Sequence, residues 1–433
     1  MNWKSIYESR TMTAEEALRK VPANCRMFLG HAMSEPAYLV DYMCDHKEWF
    51  TNVEICHMGS SGKHRYCIEE GMEGHLRHNS FFASVPSRKA ILEGRADYTP
   101  AFFHEIPRLF DELVPVDVLM LTVTPPDENG KVSLGCSCDY TKPALEHAKL
   151  VIAQVNDQWP WTGGDALVDV SQIDCFVEYS QPIPELKPAP LTDVEINIGK
   201  NCAKLIEDGD TLQLGIGSIP DAVCASLRDK KDLGIHTELM CDGVMDLVEA
   251  GVINNSKKPI DKGVCTTAFM MGTRKFYDWV DHNPIVNMRT VDYTNNPVTI
   301  AQMDHIVSIN SAVQVDFQGQ VCSESIGLMQ ISSVGGQVDF VRGAAMAKHG
   351  KAIIAMPSTV KGKISKIVPI LDEGAAVTTS RNDVDYIVTE YGIAHLKGKT
   401  LKQRSKALIQ IAHPDFRPQL IEAYEQRYHC KYE

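Results

Sequence analysis

A chain of 433 residues exceeds one ordinary core, and about one domain per 100–200 residues points to two to four units. Hydrophobic residues at 44% and charged residues at 23% form a globular composition that excludes long disorder, and a net charge of −13 disfavours nucleic acid and anionic membrane as partners. The 13 cysteines are odd in number and scattered, which fits a reducing cytoplasm better than a disulfide framework.

The N-terminal stretch MNWKSIYESRTMTAEEALRKV is charged and amphipathic and lacks the apolar core of a signal peptide. No run reaches the roughly 18 apolar residues of a membrane span, so the expectation is a soluble cytoplasmic protein. A helix-like TAEEALRKV then leads into a strand-like RMFLG, a turn HAMSEP that opens a second helix, and the strand-like NVEICHMG. Further on, VDVLMLTVTPPDENGKVSLG reads as a buried strand followed by a turn.

The histidines His31, His57, His64, His75 and His78 all fall in this first half, as do Cys56, Cys136 and Cys138. They show none of the spacings of a zinc site, and no metal is expected. His31 and His57 follow apolar strands and are candidates to line a pocket, against the plainer reading of structural histidines. The Met58-Gly59 step is a candidate for an oxyanion-binding amide.

Residues 181–193, QPIPELKPAPLTD, carry four prolines, a density that favours an extended linker. The chain is therefore expected to form two halves, 1–185 and 190–433. The second half repeats the order of the first: EINIGKNCAKLIEDG, then TLQLG, then IGSIPDAVCASL, then GIHTELMCDG, and later MDHIVSINSAVQVDFQGQVCSES. Helix, apolar strand, glycine turn and helix in this order point to an α/β fold with mainly parallel sheets, and the repeat points to duplication.

Three stretches of the second half carry candidate chemistry. In GIHTELMCDG the lone carboxylate Glu238 closes a strand, where ligand sites of α/β sheets gather. In DTLQLGIGSIPDAVCASL the strand runs to Leu214, Gly215 and Gly217 free the backbone, Ser218 is the expected cap, and Pro220 suits the first helical turn. Such a turn offers peptide N–H groups to a bulky ligand, but GIGSIP lacks the third glycine of a dinucleotide fingerprint. In SSVGGQVDFVRGAAMAKHGKAIIAMPST, Gly335 and Gly336 read as a loop whose amides touch a ligand, with a helix opening near Arg342 and a buried strand AIIAMP after it. The lysines Lys361, Lys363 and Lys366, and Arg342, are weak candidates for holding phosphates.

Together these stretches resemble the acetyl-CoA hydrolase/transferase family of CoA-transferases. The likeness rests on DTLQLGIGSIPDAV, GIHTELMCDG, VGGQVDFVRGA, KAIIAMPST and KIVPILDEGAAVTTSRNDVDYIVTEYGIAHLKGKT, and in the first half on NWKSIYESRTMTAEEA, FFHEIP and TPPDENGKVSLGCSCDYT. It is nearest to the 4-hydroxybutyrate CoA-transferase branch, with the butyryl-CoA:acetate branch beside it. The resemblance implies two similar α/β halves with the active site in the cleft between them. It places the catalytic glutamate on Glu238. It puts CoA binding on Gln213, Leu214, Gly215, Ile216 and Gly217, with further contacts at Asn310, Val313, Gly335 and Gly336.

The resemblance also implies a ping-pong exchange of CoA between a short-chain acyl-CoA and a free carboxylic acid, through a glutamyl-CoA thioester. CoA thioesters enter as substrates, with no permanently bound cofactor, in a homo-oligomer, expected to be a dimer, of anaerobic fermentation. Acyl-CoA hydrolysis on the same scaffold and a non-catalytic nucleotide-binding module are the alternatives. The missing third glycine and the Glu238 motif argue against the last. The identity of the preferred acid is not readable from the residues.

Overall fold

The structure is a computed structural model describing residues 2–432. It divides into two compact units, Met1–Leu186 with Thr266–Thr294, and Lys187–Cys265 with Asn295–Glu433. Residues 179–192, which include most of the proline-rich stretch, carry no helix or strand. The segment Thr266–Thr294 groups with the first unit through backbone bonds on the 136–138 stretch: Cys138 N–H donates to Ala268 O at 3.1 Å and Met270 N–H to Cys136 O at 2.9 Å.

The first unit is built on β1 (Arg26–Leu29), β2 (Val53–His57), β3 (Leu76–Ser80), β4 (Asp97–Tyr98), β5 (Val118–Val123), β6 (Leu150–Val155) and β7 (Cys175–Glu178). These form a seven-stranded sheet in the order β4-β3-β2-β1-β5-β6-β7, with every pair parallel. The central strands VLMLTV and LVIAQV are apolar except for the buried Thr122 and Gln154, because a parallel sheet is covered on both faces.

The second unit has β8 (Thr211–Gln213), β9 (Gly234–Met240), β10 (Ile306–Asn310), β11 (Lys351–Ala355), β12 (Tyr386–Thr389) and β13 (Gly392–His395). Within it the sheet runs β9-β8-β10-β11-β12-β13, parallel except for the closing hairpin of β12 and β13.

The two sheets repeat one another residue for residue at their centres. With Gly30 matched to Gly215, Met27 pairs with Ile55 and Val118 just as Leu212 pairs with Ile235 and Val307. Each unit's strand pattern is preceded by a helix opened by the same capping box, Thr13 with Glu16 and Thr192 with Glu195, which satisfies two otherwise orphaned backbone donors. In each turn after the first strand the matching residue has a positive φ, Ala32 at 52° and Gly217 at 108°. Extending the register along the second strand sets Met58 in the position that Glu238 holds in the other unit. All 13 cysteines are free thiols, and every one except Cys430 is buried.

Two local expectations are corrected. Gly217, not Ser218, is the N-cap of helix Ser218–Ala225, and Ser218 is its first helical residue. The glycine pair does not lead into a loop that ends near Arg342; Gly336 is the N-cap of helix Gln337–Met346, so Arg342 lies in the middle of that helix. The polar start QVD suggested a loop, but Gln337 and Asp339 are buried helical residues, and the Gln337 amide donates to Ser323 Oγ at 2.9 Å and Thr379 Oγ1 at 3.0 Å.

Candidate active site

The second unit gathers several of the candidate residues at the carboxyl edge of its sheet. Glu238 projects near the end of β9, four residues before helix Asp242–Glu249 begins, and is half-buried. Its Oε2 accepts a 2.7 Å hydrogen bond from Asn295 Nδ2. Asn295 is fully buried, and among the described residues its Oδ1 has no hydrogen-bond partner. Because Glu238 is a carboxylate acceptor, the facing Asn295 atom must be the amide nitrogen, which fixes the orientation of the side chain.

Gly336 closes the other side of the carboxylate. A Cβ at this position would lie 1.9 Å from Glu238 Oε2 and 2.4 Å from Asn295 Nδ2, so any side chain here forces the carboxylate and its partner to move. Its φ of −91° is ordinary, which makes the glycine a requirement of close approach and not of backbone conformation. As the N-cap of a ten-residue helix, Gly336 also brings the positive end of the helix dipole to the carboxylate. Gly335 beside it does need glycine's freedom, with φ 52°.

Gln213 and Asn310 meet across adjacent strands. Asn310 Nδ2 donates to Gln213 Oε1 at 3.1 Å, and Gln213 Oε1 also accepts from Ile309 N–H at 3.2 Å. The glycine turn after Gln213 is tied to the Glu238 strand by Thr237, which accepts from Leu214 N–H at 3.2 Å and donates to Leu214 O at 2.8 Å. Leu214 is buried, whereas Ile216 is exposed. An ideal Cβ at Gly217 meets nothing within 4 Å, so the turn opens to solvent on that side. Val313 is anchored elsewhere, its N–H donating to Cys322 O at 2.8 Å.

The basic candidates separate. Lys361 and Lys363 are exposed on a short hairpin, and Arg342 reaches Asp383 at 3.7 Å. Lys366 is largely enclosed, and burial pushes its ammonium down to about 8 against the opposing field of Glu390. Glu390 in turn accepts from Ser358 N–H at 2.8 Å and from Ser358 Oγ at 2.6 Å.

In the first unit, His31 is buried with Nδ1 2.5 Å from Asp139 Oδ2. Asp139 also accepts from Ser137 Oγ at 2.8 Å and Tyr140 N–H at 2.6 Å. His57 is fully buried, with Nε2 2.7 Å from the Tyr66 hydroxyl, and stacks on His78 at 4.5 Å between ring centres. Burial holds both rings well below the ordinary imidazole range, so they stay neutral. His75 is spent on the Phe50 carbonyl at 2.8 Å. Among the described residues no three His, Cys, Asp or Glu side chains are grouped to hold a metal ion.

Asn295 and Thr237 were not singled out in the sequence. Thr237 sits one residue before Glu238 on a strand, where alternation sends it to the opposite face. Asn295 belongs to YTNNPVTI, in which Asn296 caps helix Pro297–Ile300; Asn-Asn-Pro marks a turn without telling which asparagine faces inward.

The fold and this arrangement describe an α/β enzyme with a carboxylate held at a helix start. Residues 1–186 match the acetyl-CoA hydrolase/transferase N-terminal domain and residues 272–424 match the C-terminal domain. The chain belongs to the acetyl-CoA hydrolase/transferase family. It is 57% identical over 430 residues to the 4-hydroxybutyrate coenzyme A transferase of Clostridium kluyveri, covering 99% of this chain and 100% of that one. It is 37% identical to the butyryl-CoA:acetate CoA-transferase of Anaerostipes caccae, covering 98% of both chains. The crystal structure of 4-hydroxybutyrate CoA-transferase from Porphyromonas gingivalis superposes with a TM-score of 0.86 at 41% identity, over 99% of this chain and 100% of that one. Among the described residues no helix is long and apolar enough to cross a membrane.

Proposed function

We propose that the protein moves CoA between a short-chain acyl-CoA and a free carboxylic acid, with 4-hydroxybutyrate and acetate as the acid pair, and that Glu238 carries the CoA. The observation that supports this most is the Glu238 carboxylate seated between the Asn295 amide and the bare Cα of Gly336. The substrate assignment rests on the likeness to the 4-hydroxybutyrate enzymes.

In this reading a Glu238 oxygen attacks the thioester carbonyl carbon and the C–S bond breaks, giving an acyl-glutamyl anhydride and CoA thiolate. The thiolate attacks the glutamyl carbonyl, and the bond between that carbon and the bridging oxygen breaks. The donor leaves as its carboxylate and Glu238 becomes a CoA thioester. An acceptor carboxylate runs the two steps backwards. No proton is consumed overall, and one thioester replaces another. Each addition builds an oxyanion, for which the Asn295 amide and the N–H groups at the Gly336 helix start are the donors at hand. The glycine turn 215–217, with the Gln213 and Asn310 amides, is assigned to the CoA moiety.

Mixing the enzyme with butyryl-CoA, with and without acetate or 4-hydroxybutyrate, tests the reading. Total thioester is expected to stay constant while a new acyl-CoA appears only when an acid is present. A total that falls without any acid assigns the chain to hydrolysis instead. Asn295→Ala removes a charge-assisted hydrogen bond of about 1.5–3 kcal/mol, so kcat is expected to fall roughly 10- to 150-fold in the same assay.

A further inference from the structure

Glu35 is a buried carboxylate that the proposed chemistry does not use. It lies just past β1, at the edge where that strand and β2 end, and is 3% exposed. Its Oε2 accepts from Ser60 Oγ and, at 2.7 Å, from Gly62 N–H, while Oε1 is buried without a partner. A Cβ on Gly62 would lie 2.3–2.5 Å from the carboxylate atoms, so the turn is pressed onto Glu35. The same turn is laced to the β1 side: Ala32 N–H donates to Gly59 O at 2.9 Å, and Ser61 Oγ to Ala32 O at 3.0 Å. An ideal Cβ on Gly59 would touch His31 Nε2 at 3.4 Å. This backbone thus forms the wall behind the His31 ring, next to the place where Met58 stands in register with Glu238 of the other unit.

We propose that Glu35 is a positioning residue for the transfer reaction: in its neutral form it latches the Ser60–Gly62 turn, and so fixes the Gly59 backbone against His31, and its ionisation loosens the latch. The part of this that concerns transfer rests on the function proposed above; the latch itself does not.

The titratable groups around the turn are Asp41, Tyr66, Tyr140 and His64, whose Nδ1 lies 2.9 Å from Gly62 O and whose ring is held below the ordinary imidazole range by burial. Asp41 lies on helix Ala37–Asp45 and is paired with Lys63 at 2.5 Å and Arg65 at 3.9 Å. The Tyr66 and Tyr140 hydroxyls are both pushed up, chiefly by burial and in part by Glu35, so neither is ionised. Burial pushes the Glu35 carboxyl up to about 7, the Gly62 N–H opposes the rise and Asp41 adds to it. In an opened turn the carboxyl is solvated and returns to its ordinary value of 4.5. The closed turn therefore holds the proton more tightly. Its advantage is complete below the solvated value and is lost as pH rises through about 7.

Hydrogen exchange of the 58–64 backbone in the full chain, corrected for the intrinsic rate and measured without substrate, reads the latch. Opening is expected to increase about tenfold between pH 6 and pH 8. Glu35→Gln, whose amide oxygen keeps an acceptor for Gly62 N–H and Ser60 Oγ without a titrating group, is expected to flatten that dependence and to remove the matching fall in kcat/KM at high pH. Ser60→Ala is expected to raise exchange at every pH. Exchange that ignores pH in the wild type, or the same pH dependence in Glu35→Gln, overturns the latch. Unchanged pH profiles of transfer in Glu35→Gln overturn the positioning role. A chain that transfers no CoA at any pH while its exchange responds as expected sinks the proposed function and upholds the latch.

Discussion

Glu238→Gln is expected to lower kcat for CoA transfer by on the order of 10⁴-fold, the scale on which loss of one member of a covalent machinery is felt. The substitution is nearly silent for structure. A glutamine Oε1 still accepts the 2.7 Å bond from Asn295 Nδ2, so the melting temperature is expected to stay within a few degrees. The amide cannot form the anhydride, and the protein should show no CoA adduct by mass after exposure to acyl-CoA without acceptor acid, where the wild type shows one on the peptide containing Glu238. Retained turnover with no adduct in either protein would remove the covalent step from the mechanism. Glu238→Asp keeps the charge but withdraws it by one methylene, and a misplacement of that order costs about 10²-fold.

Gly336→Ala is the second large effect. The added methyl carbon falls 1.9 Å from Glu238 Oε2 and 2.4 Å from Asn295 Nδ2, so the carboxylate and its partner must both move, with neither the glycine's φ nor a cavity offering relief. A displacement near 1 Å predicts about a 10²-fold loss in kcat with a much smaller change in KM for acyl-CoA. The pair with Glu238→Asp is the sharper measurement. Shortening the acid makes room for the methyl group, so the double variant is expected to lose less than the product of the two single losses. Strict multiplicativity would mean that Gly336 acts by some route other than contact with the carboxylate.

The sequence carried the fold further than the site. Largely apolar runs such as VLMLTV and LVIAQV, separated by glycine turns and helices, can form little other than buried parallel strands, and the repeated order of elements was readable as such. What could not be read was that the two central registers coincide, because strand neighbours are set by contacts between residues 23 to 95 positions apart. The resemblance pointed to Glu238, whereas the residues themselves offered only a carboxylate at a strand end. Its setting is built from positions 57 and 98 residues away, and neither contact leaves a local trace. The helix start at Gly336 was missed because Gln337 and Asp339 look like loop residues, and only burial of the first turn explains polar side chains there. Glu35 raised no signal at all. A single glutamate before a proline reads as a turn, and its burial is decided by a glycine 27 residues later.

The distribution of sulfur has a practical corollary. Twelve of the 13 thiols are buried, and burial suppresses thiolate formation on most of them, while Cys430 alone is half-buried near the end of the chain. A native molecule therefore presents about one modest target to a thiol reagent, and an unfolded one presents all of them. The polypeptide carries its own gauge of global opening, spread across both sheets, so that counting labelled sulfurs distinguishes a chain that has come apart from one that has merely lost its catalytic geometry.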